Sequence, residues 1–91
     1  MIGRLSGIVV EDEADGTVVL DVNGVGYEVL VPLGALGRAR ASSADGRVTL
    51  HVHTHVREDA FVLFGFPTVA DRAVFRILLG ISSVGPKTAL A

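Results

Sequence analysis

The chain has 91 residues, of which 49% are hydrophobic, and a formal net charge of −2. Its length fits one small domain, or one domain and the start of another. Because it has no cysteine, disulfides, thiolate chemistry and cysteine-based metal sites are excluded. The charge also excludes a protein that binds duplex DNA by overall charge alone, so a role with nucleic acid would depend on a few placed groups. No apolar stretch approaches the roughly 20 residues of a membrane span, and no signal-peptide core follows the N-terminus. We therefore expect a cytoplasmic location and no membrane partner.

Three short strands are predicted first. Glycines interrupt the first strand, residues 2–10, and indicate a β-bulge or sharp coiling. The second strand, residues 17–22, alternates in hydrophobicity. It ends at Asn23-Gly24, a strong hairpin signal because both turn positions need positive φ. The third strand covers residues 25–31.

Two more strands follow a linker of small residues, 33–46, which holds a short helical turn near residues 33–36. The fourth strand carries its apolar residues on one face: Val48, Leu50, Val52 and Val56. A turn over residues 57–59 leads to the fifth strand, residues 60–66. Five antiparallel strands with a helical link between the third and fourth predict a mainly β fold, a five-stranded OB-fold barrel.

The pattern changes at Pro67, where a helix is predicted to begin. Thr68 is a suitable N-cap, with Asp71 three residues later as a weak capping box. Apolar residues then recur at helical spacing, at Ala70, Val74, Ile77, Leu78 and Ile81. Arg72 and Arg76 fall on another face of this helix. We expect two domains, an OB-fold domain over residues 1–66 and the truncated beginning of an α-helical domain over residues 67–91.

The segment from Gly80 to Thr88 has two functional interpretations. It nearly matches the P-loop pattern, but Pro86 separates Gly85 from Lys87. Proline also removes an N–H that the phosphate cradle would use. In addition, a P-loop follows a strand, whereas this segment follows a predicted helix. A tight hairpin between two helices fits better, because Pro86 suits the first turn of the second helix. The backbone N–H groups around Gly85 would then face a phosphate, with Lys87 adding charge. The residues alone favour a third alternative, a plain connection with a solvated lysine.

Glu58-Asp59 lies at a predicted hairpin tip. A solvated polar turn is the usual interpretation. The sharper one is a repulsive device, in which two carboxylates penalise the close approach of a phosphate. Acid–base catalysis is not favoured, because an exposed turn gives little burial to tune a pKa.

Three histidines alternate along the fourth strand, at His51, His53 and His55. Alternation places them on one strand face, but side chains along a straight strand diverge, so a partly exposed polar face is favoured over a metal site. Ser82 and Ser83 have no histidine or aspartate nearby in the sequence, so no catalytic set is evident. The few aromatic residues give weak support to a platform for single-stranded bases.

Taken together, the residues resemble the RuvA family, the Holliday-junction-binding subunits of the bacterial branch-migration machinery. The resemblance covers the whole chain. It rests on four motifs in order: residues 1–5 with Gly7, residues 24–29, residues 56–60 with residues 64–66, and residues 84–87.

The resemblance implies an OB-fold domain followed by a helix–hairpin–helix domain, of which only the beginning lies in these 91 residues. It implies a homotetramer, with an octamer as the larger alternative, that binds four-way junction DNA. The RuvB motor would be contacted through a C-terminal domain absent here, and the RuvC resolvase is a further candidate partner. The subunit would be non-catalytic, with the ATPase on a separate partner, and would need no cofactor or metal.

The resemblance also assigns residues. The DNA-binding hairpin would comprise Ser83, Val84, Gly85, Lys87 and Thr88, and the acidic pin near the central axis would comprise Glu58 and Asp59. Family members usually carry glycine where this chain has Ser83, which lacks the freedom of glycine at positive φ. The alternative function is a generic OB-fold module that binds single strands or a protein.

Overall fold

The computed structural model describes residues 1–41, 43, 45–81 and 90. In chain order the elements are β1 (Arg4–Asp12), β2 (Thr17–Val22), β3 (Val25–Leu30), α1 (Ala35–Ala41), β4 (Val48–Val56), β5 (Phe61–Phe66) and α2 (Val69–Leu79). The strands form a closed barrel in the order β1-β2-β3-β5-β4. This confirms the predicted mainly β fold, an OB-type barrel with a helix beginning after it.

Closure of the barrel depends on two seams between strands distant in sequence. β1 pairs with β4 in antiparallel fashion, with Arg4 opposite His51 and Gly7 opposite Val48. β3 pairs with β5 in parallel over two residues, Val29 opposite Leu63 and Leu30 opposite Phe64. The remaining pairs are antiparallel neighbours. The prediction of an all-antiparallel set is therefore wrong at the β3–β5 seam.

The predicted irregularity of the first strand is present at two places. The register of β1 against β2 shifts between Val9 and Glu11, which is the signature of a β-bulge. At Gly7 the strands approach so closely that an added Cβ would lie 2.2 Å from the carbonyl oxygen of Asp21. Glycine at position 7 therefore permits the tight coiling of the barrel.

The predicted hairpin at Asn23-Gly24 is confirmed by its backbone. Both residues have positive φ, 52° at Asn23 and 88° at Gly24, as a two-residue hairpin of this kind requires. The Gly24 N–H donates to the Asp21 carboxylate at 2.8 Å. The turn fixes the register of β2 and β3, which pair from Val22–Val25 to Thr17–Leu30.

The barrel core forms from the inward faces of the strands. Val48, Leu50 and Val52 of β4 are fully buried, as their alternation predicts. Val56 shares this face, because the regular pairing of β4 with β5 keeps the alternation to the end of the strand, but its side chain is 66% exposed. It lies at the end of β4, beyond the part of the strand that faces the core.

The linker holds a longer helix than its sequence indicates. A helical turn was predicted near residues 33–36, whereas α1 covers Ala35–Ala41. Its buried residues are Ala35, Leu36 and Ala39, and they join the main core cluster. Small side chains give a weak periodic signal, because alanine and glycine contribute little to an apolar stripe.

α2 begins where the sequence predicts and packs against the barrel. The Thr68 hydroxyl accepts the Asp71 N–H at 3.1 Å, confirming the N-cap. Phe75 is the buried residue of the helix. The centroid of its ring lies 5.0 Å from the ring centroid of Phe64 and 4.9 Å from that of Phe66. Leu90 packs against the same aromatic cluster. The division into domains at residues 66 and 67 stays a prediction.

The face of α2 that contacts the barrel overlaps its predicted apolar face at Leu78, which packs against the aromatic cluster, and differs from it elsewhere. Val74, Ile77 and Ile81 are 56%, 69% and 47% exposed, whereas the arginine side of the helix turns toward β4. Arginine can lie on such a surface because its aliphatic stem covers apolar atoms while its head meets polar groups.

Replacing Gly7 with alanine tests the close approach of β1 and β2. The new methyl group would meet backbone atoms of Asp21, so we expect Gly7→Ala to lower the free energy of unfolding by about 1–3 kcal/mol. Urea denaturation followed by circular dichroism measures this.

Gly37→Ala is the matched control. Gly37 lies in α1 with nothing within 4 Å of an added Cβ, so the substitution should raise stability by about 0.5–1 kcal/mol. Equal stability of Gly7→Ala and the parent chain would contradict the proposed constraint.

Candidate nucleic-acid interface

The turn between β4 and β5 presents two adjacent carboxylates. The Arg57 N–H donates to the Ala60 carbonyl at 2.8 Å and closes a tight loop, and Glu58 and Asp59 lie at its tip. Both side chains are exposed. The predicted turn over residues 57–59 is therefore present. Its role as an acidic pin stays a prediction.

The predicted DNA-binding hairpin lies outside the described residues. This applies to Ser83, Val84, Gly85, Lys87 and Thr88, so their assigned roles stay predictions. The structure does describe what precedes them. α2 ends at Leu79, and Gly80 caps it by donating to the carbonyls of Arg76 and Ile77 at 3.3 and 3.1 Å. A P-loop follows a buried strand, whereas this segment follows a helix.

The three histidines lie on the outer face of β4, where all three are half-buried. The His53 ring meets the edge of Phe75, with ring centroids 5.6 Å apart. The Arg76 Nε–H donates to His53 Nδ1 at 3.1 Å. Because arginine can only donate, His53 carries no proton on Nδ1 in this arrangement. Within the described residues, no group of three or more histidine, aspartate or glutamate side chains is placed to hold a metal ion.

Burial and neighbouring arginines act on two of these histidines in the same direction. Burial lowers the pKa of His53 below its ordinary value, and the charges of Arg76, His55 and Arg72 lower it further. The pKa of His51 is also lowered, first by burial and then by Arg72 and Arg4. The arginine contributions reflect how close these side chains lie to the two imidazoles, whereas the larger cause, burial, says nothing about local charge.

Arg72 is a residue whose role sequence reasoning missed. Its guanidinium reaches from α2 across β4, where Nη1 donates to the Gly3 carbonyl at 2.8 Å and to the Val52 carbonyl at 3.5 Å. The residue before it, Asp71, pairs with Arg38 of α1 at 3.0 Å. Helical spacing places Arg72 and Arg76 on a common face, but nothing in the sequence shows that this face meets the barrel.

A groove of about 580 Å³ lies between β3 and β5, beyond their two-residue seam. Tyr27 and Phe61 line it together with three carboxylates, Glu13, Asp15 and Glu28. Aromatic rings in an OB-fold groove can stack on bases, but acidic lining repels a phosphate backbone.

Comparison with known proteins decides the family. A model of the RuvA N-terminal domain matches residues 1–65. The chain belongs to the RuvA family.

Of the described helices, none has the length and apolar character to cross a membrane.

Curated relatives align along nearly the full chain. The Holliday junction branch migration complex subunit RuvA of Bordetella petrii is 46% identical over 91 residues, which are 100% of this chain and 46% of that protein. Its counterpart in Pseudomonas paraeruginosa is 50% identical over 91 residues, covering 100% of this chain and 44% of the relative. That of Syntrophotalea carbinolica is 49% identical over 90 residues, covering 99% and 44%. The chain thus spans less than half the length of these RuvA relatives.

Lowering the pH should weaken the contact between α2 and β4 through His53. The folded-state pKa of this residue lies below 6.5, so its contribution to stability is present above about pH 6.5 and is lost as the pH falls below that value. We expect His53→Gln to show a smaller fall in Tm between pH 7.5 and pH 5.5 than the parent chain. Calorimetry at both pH values measures the two falls, and equal falls would contradict the assignment.

Proposed function

We propose that this chain is the N-terminal part of a structure-specific DNA-binding subunit that recognises Holliday junctions and supports branch migration. The subunit has no catalytic activity of its own, and a separate motor ATPase, RuvB, moves the DNA. It acts in the cytoplasm as a homotetramer, or as an octamer of two tetramers, in recombination and DNA repair. The RuvC resolvase is a further candidate partner.

The observation that carries this proposal is the match to RuvA along the whole chain, since relatives 46–50% identical bear the name of a Holliday junction branch migration complex subunit. The named relatives are about twice as long as this chain. Within the proposal, these residues supply the barrel, the acidic turn and the start of the helical domain.

The acidic turn supports the proposal on physical grounds. Glu58 and Asp59 are exposed at a hairpin tip, and among the described residues no hydrogen bond or ion pair holds either side chain. Two carboxylates at a tip repel phosphates and so penalise a continuous duplex across the turn. At a junction, the strands diverge at the centre, and such a turn enters the opening and keeps the strands apart.

The DNA-gripping role of residues 83–88 belongs to the same proposal. Backbone N–H groups of Val84 and Gly85 contact a phosphate, Pro86 begins the second helix, and Lys87 adds a positive charge. Such contacts bind the DNA backbone without reading its sequence. The generic single-strand module is less well supported, because the aromatic groove between β3 and β5 carries three carboxylates.

A competition experiment tests the proposal. Binding of a four-way junction, a linear duplex and a single strand of matched sequence is measured by fluorescence anisotropy across a salt series, with the oligomeric state fixed by light scattering. We expect the junction to bind most tightly. Equal affinity for junction and linear duplex would overturn the proposal, and preference for the single strand would favour the generic module. ATP turnover by the chain alone, lost on changing Lys87, would establish an enzyme.

Neutralising the acidic turn tests the pin. We expect Glu58→Gln with Asp59→Asn to bind junction DNA about 2- to 5-fold more tightly, because repulsion between exposed charges is lost. In the full-length protein with its motor, the same change should impair controlled branch migration.

Glu11→Gln with Asp12→Asn is the control for this prediction. These exposed carboxylates lie at the far end of β1, so the same change in net charge should leave junction affinity nearly unaltered. Weaker binding after neutralising the turn would show that Glu58 and Asp59 are structural.

A further inference from the structure

The outer face of β4 and the facing side of α2 gather cationic and imidazole groups that the functional proposal does not use. We name the set Arg4, His51, His53, Arg72 and Arg76 the β4–α2 basic face. Arg4 lies opposite His51 in the antiparallel ladder, so their side chains project on the same side. His53 follows on the same face of β4, and Arg76 of α2 donates to it at 3.1 Å.

Within the described residues, no carboxylate neutralises the positive charge of the arginines of this face. Arg72 donates to backbone carbonyls and Arg76 to a neutral imidazole, and neither acceptor carries a compensating negative charge. A guanidinium has five N–H donors, so donors remain after these contacts. Within the described residues, no ion pair joins Arg4, Arg72 or Arg76 to a carboxylate. The carboxylate of α2, Asp71, pairs instead with Arg38 on the side of α1.

The largest group of carboxylates lies far from this face along β1. Glu11, Asp12, Glu13 and Asp15 lie at the far end of β1 and in the loop after it. At about 3.3 Å per residue, the first of them is more than 20 Å along the strand from Arg4. Burial is the first cause that lowers the pKa values of His51 and His53, and the nearby arginines lower them further.

The geometry points to the β4–α2 basic face as a second DNA contact, which binds the phosphodiester backbone of one strand and leads it along β4 toward the Glu58-Asp59 turn. Arginine donors suit phosphate oxygens, and such contacts carry no sequence preference. β4 runs from the basic face directly into the acidic turn, so attraction and repulsion follow one another along one strand. A backbone held on the arginines is therefore turned aside at the tip. This inference rests on the proposed DNA-binding function, although its site is distinct from residues 83–88.

Charge-neutralising variants of exposed arginines test the inference. Arg4→Gln and Arg76→Gln are compared with Arg40→Gln, which removes an exposed arginine of α1 and gives the same change in net charge. For both junction and linear duplex, each face variant should lower affinity 3- to 10-fold at low salt. Each should also reduce the slope of log K against log salt by about 0.9 per lost phosphate contact. Arg40→Gln should match the parent chain, and Arg4→Lys should retain the slope because it retains the charge.

The outcomes separate this inference from the proposed function. If the parent chain prefers junctions but Arg4→Gln and Arg76→Gln bind like Arg40→Gln, the basic face is not a DNA contact and the proposed function stands. If the face variants lose affinity for a chain without junction preference, the contact stands and the proposed function fails. Thermal unfolding confirms that each variant is folded.

A direct map of the contact completes the test. The ¹⁵N-labelled chain is titrated with a short linear duplex at low salt, and amide shifts should change at Arg4, His51, His53 and Arg76. Shifts confined to other residues, or no binding, would overturn the inference. Equally effective competition by poly-glutamate of matched charge would also overturn it, because the face would then be a docking site for an acidic protein.

Discussion

The alternation of β4 places valine and leucine inside the barrel and histidine outside, and the rest of the molecule is arranged around that strand. β4 pairs with β1 on one side and β5 on the other, so it belongs to one closing seam and to the hairpin that carries the acidic turn. A shift of its register by one residue would bring the histidines into the core and expose Val48, Leu50 and Val52. The burial of those three side chains therefore fixes the position of every functional group on the outer face.

Attachment of α2 is the second level of this arrangement. Phe75 packs on the rings of Phe64 and Phe66, which gives the helix its apolar anchor. Arg72 then reaches backbone carbonyls across β4, and a directional contact of this kind sets the rotation of a helix more tightly than apolar packing alone. The direction in which the chain leaves the barrel is consequently fixed by one aromatic residue and one arginine.

A slightly acidic chain can bind DNA when its charges are separated in space. Carboxylates gather near the loop between β1 and β2 and at the β4–β5 turn, whereas arginines gather between β4 and α2. The local potential at a contact surface depends on nearby charges, because screening in salt solution reduces the influence of those more than about 10 Å away. The net charge of −2 thus excludes little once positions are known.

The sequence was sufficient for the barrel because local signals agree. Asn23-Gly24 dictates a hairpin, alternation in β4 dictates a half-buried strand, and Thr68 dictates a helix start. The side of α2 that packs could not be chosen from periodicity alone. Phe75, Leu78 and Leu79, which pack on the barrel, recur at helical spacing as regularly as the exposed Val74 and Ile77 do. The contacts of Arg72 and Arg76 could not be predicted either, because they join elements through tertiary packing that no spacing encodes. The positions of the acidic turn and the histidines followed from the strand pattern, whereas their proximity to arginine did not.

The two seams that close the barrel also govern how the chain must fold. β1, β2 and β3 form successive hairpins from neighbouring segments, and β4 and β5 form another. Closure joins the three-stranded sheet of β1, β2 and β3 to the two-stranded sheet of β4 and β5. It does so through pairs such as Arg4–His51 and Val29–Leu63, whose members lie far apart along the chain. The entropy of bringing such distant segments together is lost before their contacts form. We therefore expect the two sheets to form early and their union to limit the rate of folding, with the short parallel seam as the place where the closed barrel first reopens.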